Sequence, residues 1–150
     1  MTTIIFVCHG NICRSPAAEI IALDWLTKHH LAGEVRVFSR ATSYEEIGNP
    51  VYPPMRRALE AAGYKVPLHR ASRLTQKELD EADAVYYMDG NNRRNLSYSF
   101  ADHRRVLAPI TCLCPDLGEI EDPWYTGNFD LVVRQIERCV EAIFSRLESR

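Results

Sequence analysis

Hydrophobic residues alternate between two rhythms along this chain, short unbroken runs and spaced helical stripes. Thr3-Ile-Ile-Phe-Val7 is a β-branched apolar run and predicts a buried strand. A polar, glycine-containing loop follows from Cys8 to Ser15, and Pro16 suits the first turn of a helix, where its missing N–H is no loss. Ala18, Ile21, Ala22, Trp25 and Leu26 then recur at helical spacing up to about His30. Val35-Arg-Val-Phe38 predicts a second strand. The stretch from Ser39 to Pro54, with Gly48, Pro50, Pro53 and Pro54, predicts a long surface loop. Met55 to Ala62 predicts a helix stopped by Gly63, and Thr75-Gln-Lys-Glu78 has the spacing of a capping box that opens another. Ala84-Val-Tyr-Tyr-Met88 predicts a third strand, Arg105 to Ala108 a weaker fourth. Helical periodicity returns through Val132, Ile136, Cys139, Val140, Ile143 and Leu147.

Strands that alternate with helices imply a parallel sheet covered on both faces. Four of them predict an α/β fold, a three-layer flavodoxin-like sandwich. The 150 residues suit one domain spanning 1–150, with no internal repeat or linker.

Composition narrows the function classes. A formal charge of −2 lacks the basic excess of a nucleic-acid binder. No apolar run approaches the roughly 20 residues that span a bilayer, and Met1 to Val7 is too short for a secretory signal. A cytoplasmic protein without membrane contact, and a monomer, is the expectation. The five cysteines, Cys8, Cys13, Cys112, Cys114 and Cys139, are an odd number in a chain able to fold by burial, so reduced thiols are expected rather than a disulfide framework.

The chemistry concentrates in Cys8-His-Gly-Asn-Ile-Cys-Arg-Ser-Pro16, between a strand end and a helix start. Ligands of open α/β sheets bind at the carboxyl ends of strands, and helix N-termini attract phosphate with unpaired N–H groups. Gly10 and Asn11 are residue types that tolerate the left-handed backbone needed to curl the amides of His9, Gly10, Asn11, Ile12, Cys13, Arg14 and Ser15 around an anion. No lysine stands at the Walker position, which separates the loop from nucleotide-binding ones. Cys8 and Arg14, with five residues between them, could hold a tetrahedral oxyanion with sulfur below and guanidinium alongside. The amides and helix end would favour the thiolate, Arg14 could grip two phosphoryl oxygens through its planar fork, and Ser15 is placed to give its hydroxyl to the sulfur.

These residues resemble the signature of the low-molecular-weight protein tyrosine phosphatase family. The resemblance continues through a Ser-(small)-Ala segment after the second strand, a His-x-Ala element, a Met-Asp strand end and an Asp-Pro-aromatic-Tyr segment near the C-terminus, and so covers essentially the whole chain. It implies hydrolysis of phosphotyrosine or other aryl phosphate monoesters through a phospho-cysteine, with no cofactor and no metal. A departing phenolate needs a proton, and Asp122 in Glu121-Asp-Pro-Trp-Tyr125 is the residue that the resemblance makes the donor and the later activator of water. Trp124, Tyr125 and Ile12 are expected to line a slot for the phenyl ring, with Tyr44 a further candidate from the long loop. The resemblance also makes Asn11 the brace of the loop, bonded toward Ser15, Ser39 and His69, and makes Cys13 a partner for a reversible disulfide with Cys8.

Particular residues speak against rival chemistries. An arsenate reductase on this scaffold would need more cysteines after the third strand, where Gly90 to Arg104 has none. Cys112 and Cys114 lie later and lack two further ligands at metal-binding spacing. A protein arginine phosphatase typically has Thr where this chain has Ile12, and lacks bulky aromatics such as Trp124-Tyr125. A phosphotyrosine-binding module without turnover should have lost Cys8, Arg14 or Asp122. Two segments depart from the family's usual pattern, Phe38-Ser-Arg-Ala-Thr42 and Val51-Tyr-Pro-Pro54. Both bear on substrate preference rather than on the catalytic step.

Overall fold

In the computed structural model, which describes residues 1–101 and 106–148, β1 (Thr2–Cys8) ends at the first chemical residue of the chain. Its alternate side chains feed two cores. Ile4, Phe6 and Cys8 face one, Ile5 and Val7 the other. That is why the run is continuously apolar: both faces of the strand are covered.

The sheet has four parallel strands in the order β2-β1-β3-β4, with β2 at Val35–Ala41, β3 at Ala84–Tyr87 and β4 at Leu107–Pro109. Of the expected fourth strand, Arg105 lies outside the described residues. On one face pack α1 (Arg14–Lys28), α2 (Pro53–Ala61) and α6 (Phe129–Glu148). On the other pack α3 (Gln76–Glu81) and α4 (Gly90–Ser99). The arrangement is the expected flavodoxin-like sandwich, and β1 and β3 flank the point where the strand order reverses. Ligand crevices of such sheets open there.

Three local differences from the sequence reading have physical causes. β2 runs on to Ala41, taking the first part of the expected 39–54 loop, because parallel pairing continues to Cys8↔Ala41. Ser39 is polar yet 1% exposed, its hydroxyl donating to Glu19 Oε1 at 2.6 Å. α2 starts two residues early, with Pro53 and Pro54 in its first turn, where their missing N–H groups are harmless. It stops at Gly63, whose φ of 96° suits glycine. α4 was not expected at all. Its sequence is almost wholly polar, and what starts it is a capping box in which Asp89 accepts from the Asn92 N–H and Asn92 from the Asp89 N–H. The capping box read at Thr75 and Glu78 is present. Between β4 and α6 the chain makes two short 3-10 turns, Ile110–Leu113 and Pro115–Leu117, and α5, Pro123–Thr126.

Candidate active site

The loop after β1 is built around one strained residue. Asn11 has φ 58°, in the left-handed region that asparagine enters more readily than most residues. It is wholly buried, and each polar group of its side chain is used: Nδ2 donates to Ser15 Oγ at 2.8 Å and to Ser39 Oγ at 2.9 Å, and Oδ1 accepts from the Ser72 N–H at 3.1 Å. His69 Nε2 donates to the Asn11 backbone carbonyl at 2.7 Å rather than to its side chain. Gly10, by contrast, has no positive φ. A Cβ there would stand 3.1 Å from Glu46 Cγ, so glycine admits a neighbouring side chain instead of allowing a left-handed turn.

This bracing holds Ser15 against Cys8. The Cys8 Sγ is 3.0 Å from Ser15 Oγ and accepts from the Ser15 N–H at 3.4 Å. Ser15 Oγ already accepts from Asn11, and its alternative acceptor, the Arg40 carbonyl, is 3.5 Å away, so its proton is free to aim at the sulfur. Cys8 itself is 3% exposed.

Arg14 opens α1 and is 2% exposed. One terminal nitrogen, Nη1, donates to Asp89 Oδ2 at 2.7 Å and to the Ile120 carbonyl at 2.8 Å. The other, Nη2, is 3.5 Å from Asp122 Oδ2. Burial alone would weaken the charge, but the neighbouring Cys8, Asp89 and Asp122 outweigh it and hold the guanidinium pKa above its ordinary value. Asp89 is the residue the sequence reading missed in this role. Its signal was there, an Asp at a strand end three residues before Asn92.

Asp122 N-caps α5, its Oδ1 accepting from the Trp124 N–H at 3.1 Å. Opposite lies Cys13, whose thiol burial and the nearby Cys8 push well up from its usual range. Cys8, His9, Gly10, Ile12, Cys13, Arg14, Glu45, Glu46, Asp122, Trp124 and Tyr125 together surround a cleft with about 550 Å³ of open space. Trp124 leans on Tyr52, ring centroids 4.6 Å apart, so the Val51–Pro54 segment supports the aromatic wall. The structure does not bring Tyr44 to this cleft: its ring is 70% exposed and lies beneath the Arg73 guanidinium at 4.4 Å. In its place stand Glu45 and Glu46, which the sequence reading passed over.

The remaining cysteines sit away from the cleft. Cys112 is exposed. Cys114 and Cys139 are buried side by side, burial raising the Cys139 thiol to about 12, and all five thiols are free. Among the described residues no group of three ligating side chains is placed to hold a metal ion, and no helix is long and apolar enough to cross a membrane.

A buried thiol that accepts from the Ser15 N–H at a helix start, in one cleft with a fixed arginine and an aspartate, fits a cysteine-dependent phosphatase on a flavodoxin-like sheet. The chain belongs to the low molecular weight phosphotyrosine protein phosphatase family, whose sequence model matches residues 3–150. It is 31% identical to the low molecular weight protein-tyrosine-phosphatase YfkJ of Bacillus subtilis, over 99% of this chain and 97% of that one. Identity to the human low molecular weight phosphotyrosine protein phosphatase is 33%, over 96% of this chain and 94% of the relative. The crystal structure of YfkJ superimposes with a TM-score of 0.91, covering 99% of this chain and 96% of that one at 29% identity. A protein tyrosine phosphatase from Entamoeba histolytica, solved with Hepes in the active site, gives 0.90 at 26% identity, covering 99% and 98%.

Proposed function

We propose that this phosphatase hydrolyses phosphotyrosine through a phospho-cysteine on Cys8, and that Arg14 and Asp122 supply the other two chemical roles. The backbone N–H groups of residues 9–14 and the Arg14 fork bind three non-bridging oxygens of the phosphoryl group, with the Ser15 N–H kept on the sulfur. Cys8 Sγ attacks phosphorus in line with the phenolic oxygen. As the P–O bond breaks, protonated Asp122 gives its proton to that oxygen, and tyrosine leaves neutral. In the second half, Asp122 as carboxylate takes a proton from water, whose oxygen displaces sulfur from phosphorus. Inorganic phosphate leaves, and Cys8 returns as a thiolate that the Ser15 hydroxyl and N–H stabilise.

The observation that carries this reading is the pair of donors on the sulfur, Ser15 Oγ at 3.0 Å and Ser15 N at 3.4 Å, in the same cleft as Arg14 and Asp122. Fixed donors aimed at developing charge need no reorganisation during the reaction. Asp89 and the Ile120 carbonyl keep the guanidinium plane from turning. Ile12, Trp124 and Tyr125 hold the phenyl ring. Cys13, which lines the same cleft as Cys8, forms a disulfide with it under oxidation and so protects the nucleophile from higher oxidation states. The protein acts in the cytoplasm as a monomer on phosphotyrosine proteins.

Rapid denaturation in alkaline detergent of the enzyme turning over radiolabelled p-nitrophenyl phosphate tests the proposal directly. Label is expected on the Cys8 peptide as an S-linked phosphate monoester, stable in alkali and lost in mild acid. No label there, with hydrolysis continuing, would refute the mechanism.

A further inference from the structure

The lip of the cleft carries charge that the chemistry on its floor does not use. Glu45 and Glu46 stand on a segment tied to the phosphate loop, where the Ser43 N–H and hydroxyl both donate to the His9 carbonyl at 3.1 and 2.8 Å. Glu46 lies over Gly10, and its Oε2 accepts from Asn49 Nδ2 at 2.6 Å. Glu45 Oε2 accepts from His9 Nε2 at 2.9 Å, yet its side chain stays 69% exposed. Among the described residues that line the cleft, Arg14 is the single arginine or lysine, and it lies at the bottom, where Asp89 and Ile120 hold one of its nitrogens and the reaction uses the rest. The far wall is the pair of exposed rings of Trp124 and Tyr125.

A side chain next to the reacting phosphotyrosine therefore meets both carboxylates and aromatic rings in the lining of the cleft. Both attract a cation, the first by Coulomb attraction and the second by the ring quadrupole, and both disfavour an anion. We infer that Glu45 and Glu46 form a subsite for a lysine or arginine flanking the phosphotyrosine, so that the enzyme selects phosphotyrosine in basic sequence contexts. This rests on the phosphatase reading above. Glu45 is its adjustable member, since Glu46 is packed against the loop backbone.

The test compares two phosphotyrosine peptides that differ only in carrying arginine or glutamate beside the phosphotyrosine, with p-nitrophenyl phosphate as a substrate that has no flanking residue. The wild type is expected to favour the arginine peptide in kcat/KM by about three- to fivefold, the size of a half-exposed ion pair, chiefly through KM. The preference should shrink on raising salt from about 0.03 to about 0.5 M, as screening of exposed charges requires. Glu45→Gln should reduce the ratio, and Glu45→Lys should invert it. Taking the ratio within one preparation cancels any loss of folded enzyme. Failure of the wild type to hydrolyse p-nitrophenyl phosphate would sink the phosphatase reading. Hydrolysis with equal kcat/KM on both peptides, or a preference that survives Glu45→Lys unchanged, would overturn the subsite alone.

Discussion

The floor and the rim of the cleft are built by opposite rules. On the floor, Cys8, Asn11, Arg14 and Ser15 are at most 3% exposed; hydrogen bonds link Cys8 and Asn11 through Ser15, and Asn11 and Arg14 are held from distant parts of the chain. On the rim, Glu45, Trp124 and Tyr125 are half exposed or more, and few contacts fix them. Low dielectric and fixed dipoles make the floor chemically potent and intolerant of change. High dielectric and loose packing make the rim a place where substitutions tune recognition while leaving the reaction path alone.

The sharpest break of the comparison is Cys8→Ser, which should leave no measurable turnover and no phosphorylated enzyme on rapid quench. Asp122→Ala should come next. A poor leaving group such as phenyl phosphate should lose about 10²–10⁴ in kcat and p-nitrophenyl phosphate clearly less, the pattern of a lost general acid; equal losses would contradict the role. Arg14→Lys should cost about 10²–10³ in kcat/KM, because a lysine offers neither the planar fork nor a match to Asp89 and Ile120. Asn11→Ala should destabilise the protein by about 1–3 kcal/mol in denaturant titration, leaving Ser72 and the two serines short of a partner, and should lower kcat as Ser15 loosens. Tyr125→Ala, on the rim, should raise KM for a phosphopeptide by about twofold to fivefold, in keeping with about 0.5–1 kcal/mol for an exposed ring contact, with little change in denaturation midpoint. If Tyr125→Ala harmed kcat as much as Asn11→Ala, the division between floor and rim would fail.

Much of the floor was legible because it is local. The nine residues from Cys8 to Pro16 carry the proposed nucleophile, the arginine and the left-handed asparagine, and the chemistry proposed for them follows from their order. The strands were legible because both faces of a parallel sheet demand apolar residues. Less legible were polar segments whose structure depends on partners far along the chain. Ser39 looked like loop until parallel pairing with Phe6 and bonds to Asn11 and Glu19 made it strand. Helix α4 lacks an apolar stripe and exists through its cap and through Leu96 against the second core. Tyr44 looked like a slot residue as an aromatic in the long loop, but Arg73, nearly thirty positions away, stacks over its ring outside the cleft.

The sequence alone determined the order of the four strands and of α1, α2, α3 and α6, the Cys8–Pro16 loop and the residue types that could break a phosphate ester, since each follows from residue type at short spacing. Only tertiary structure decided that Asp89, 75 positions from Arg14, would steady the guanidinium, and that Glu45 and Glu46 would form the mouth. The reason is the sheet topology: laying β3 beside β1 brings both strand ends to one crevice, and no pattern along the chain encodes which side chains meet there.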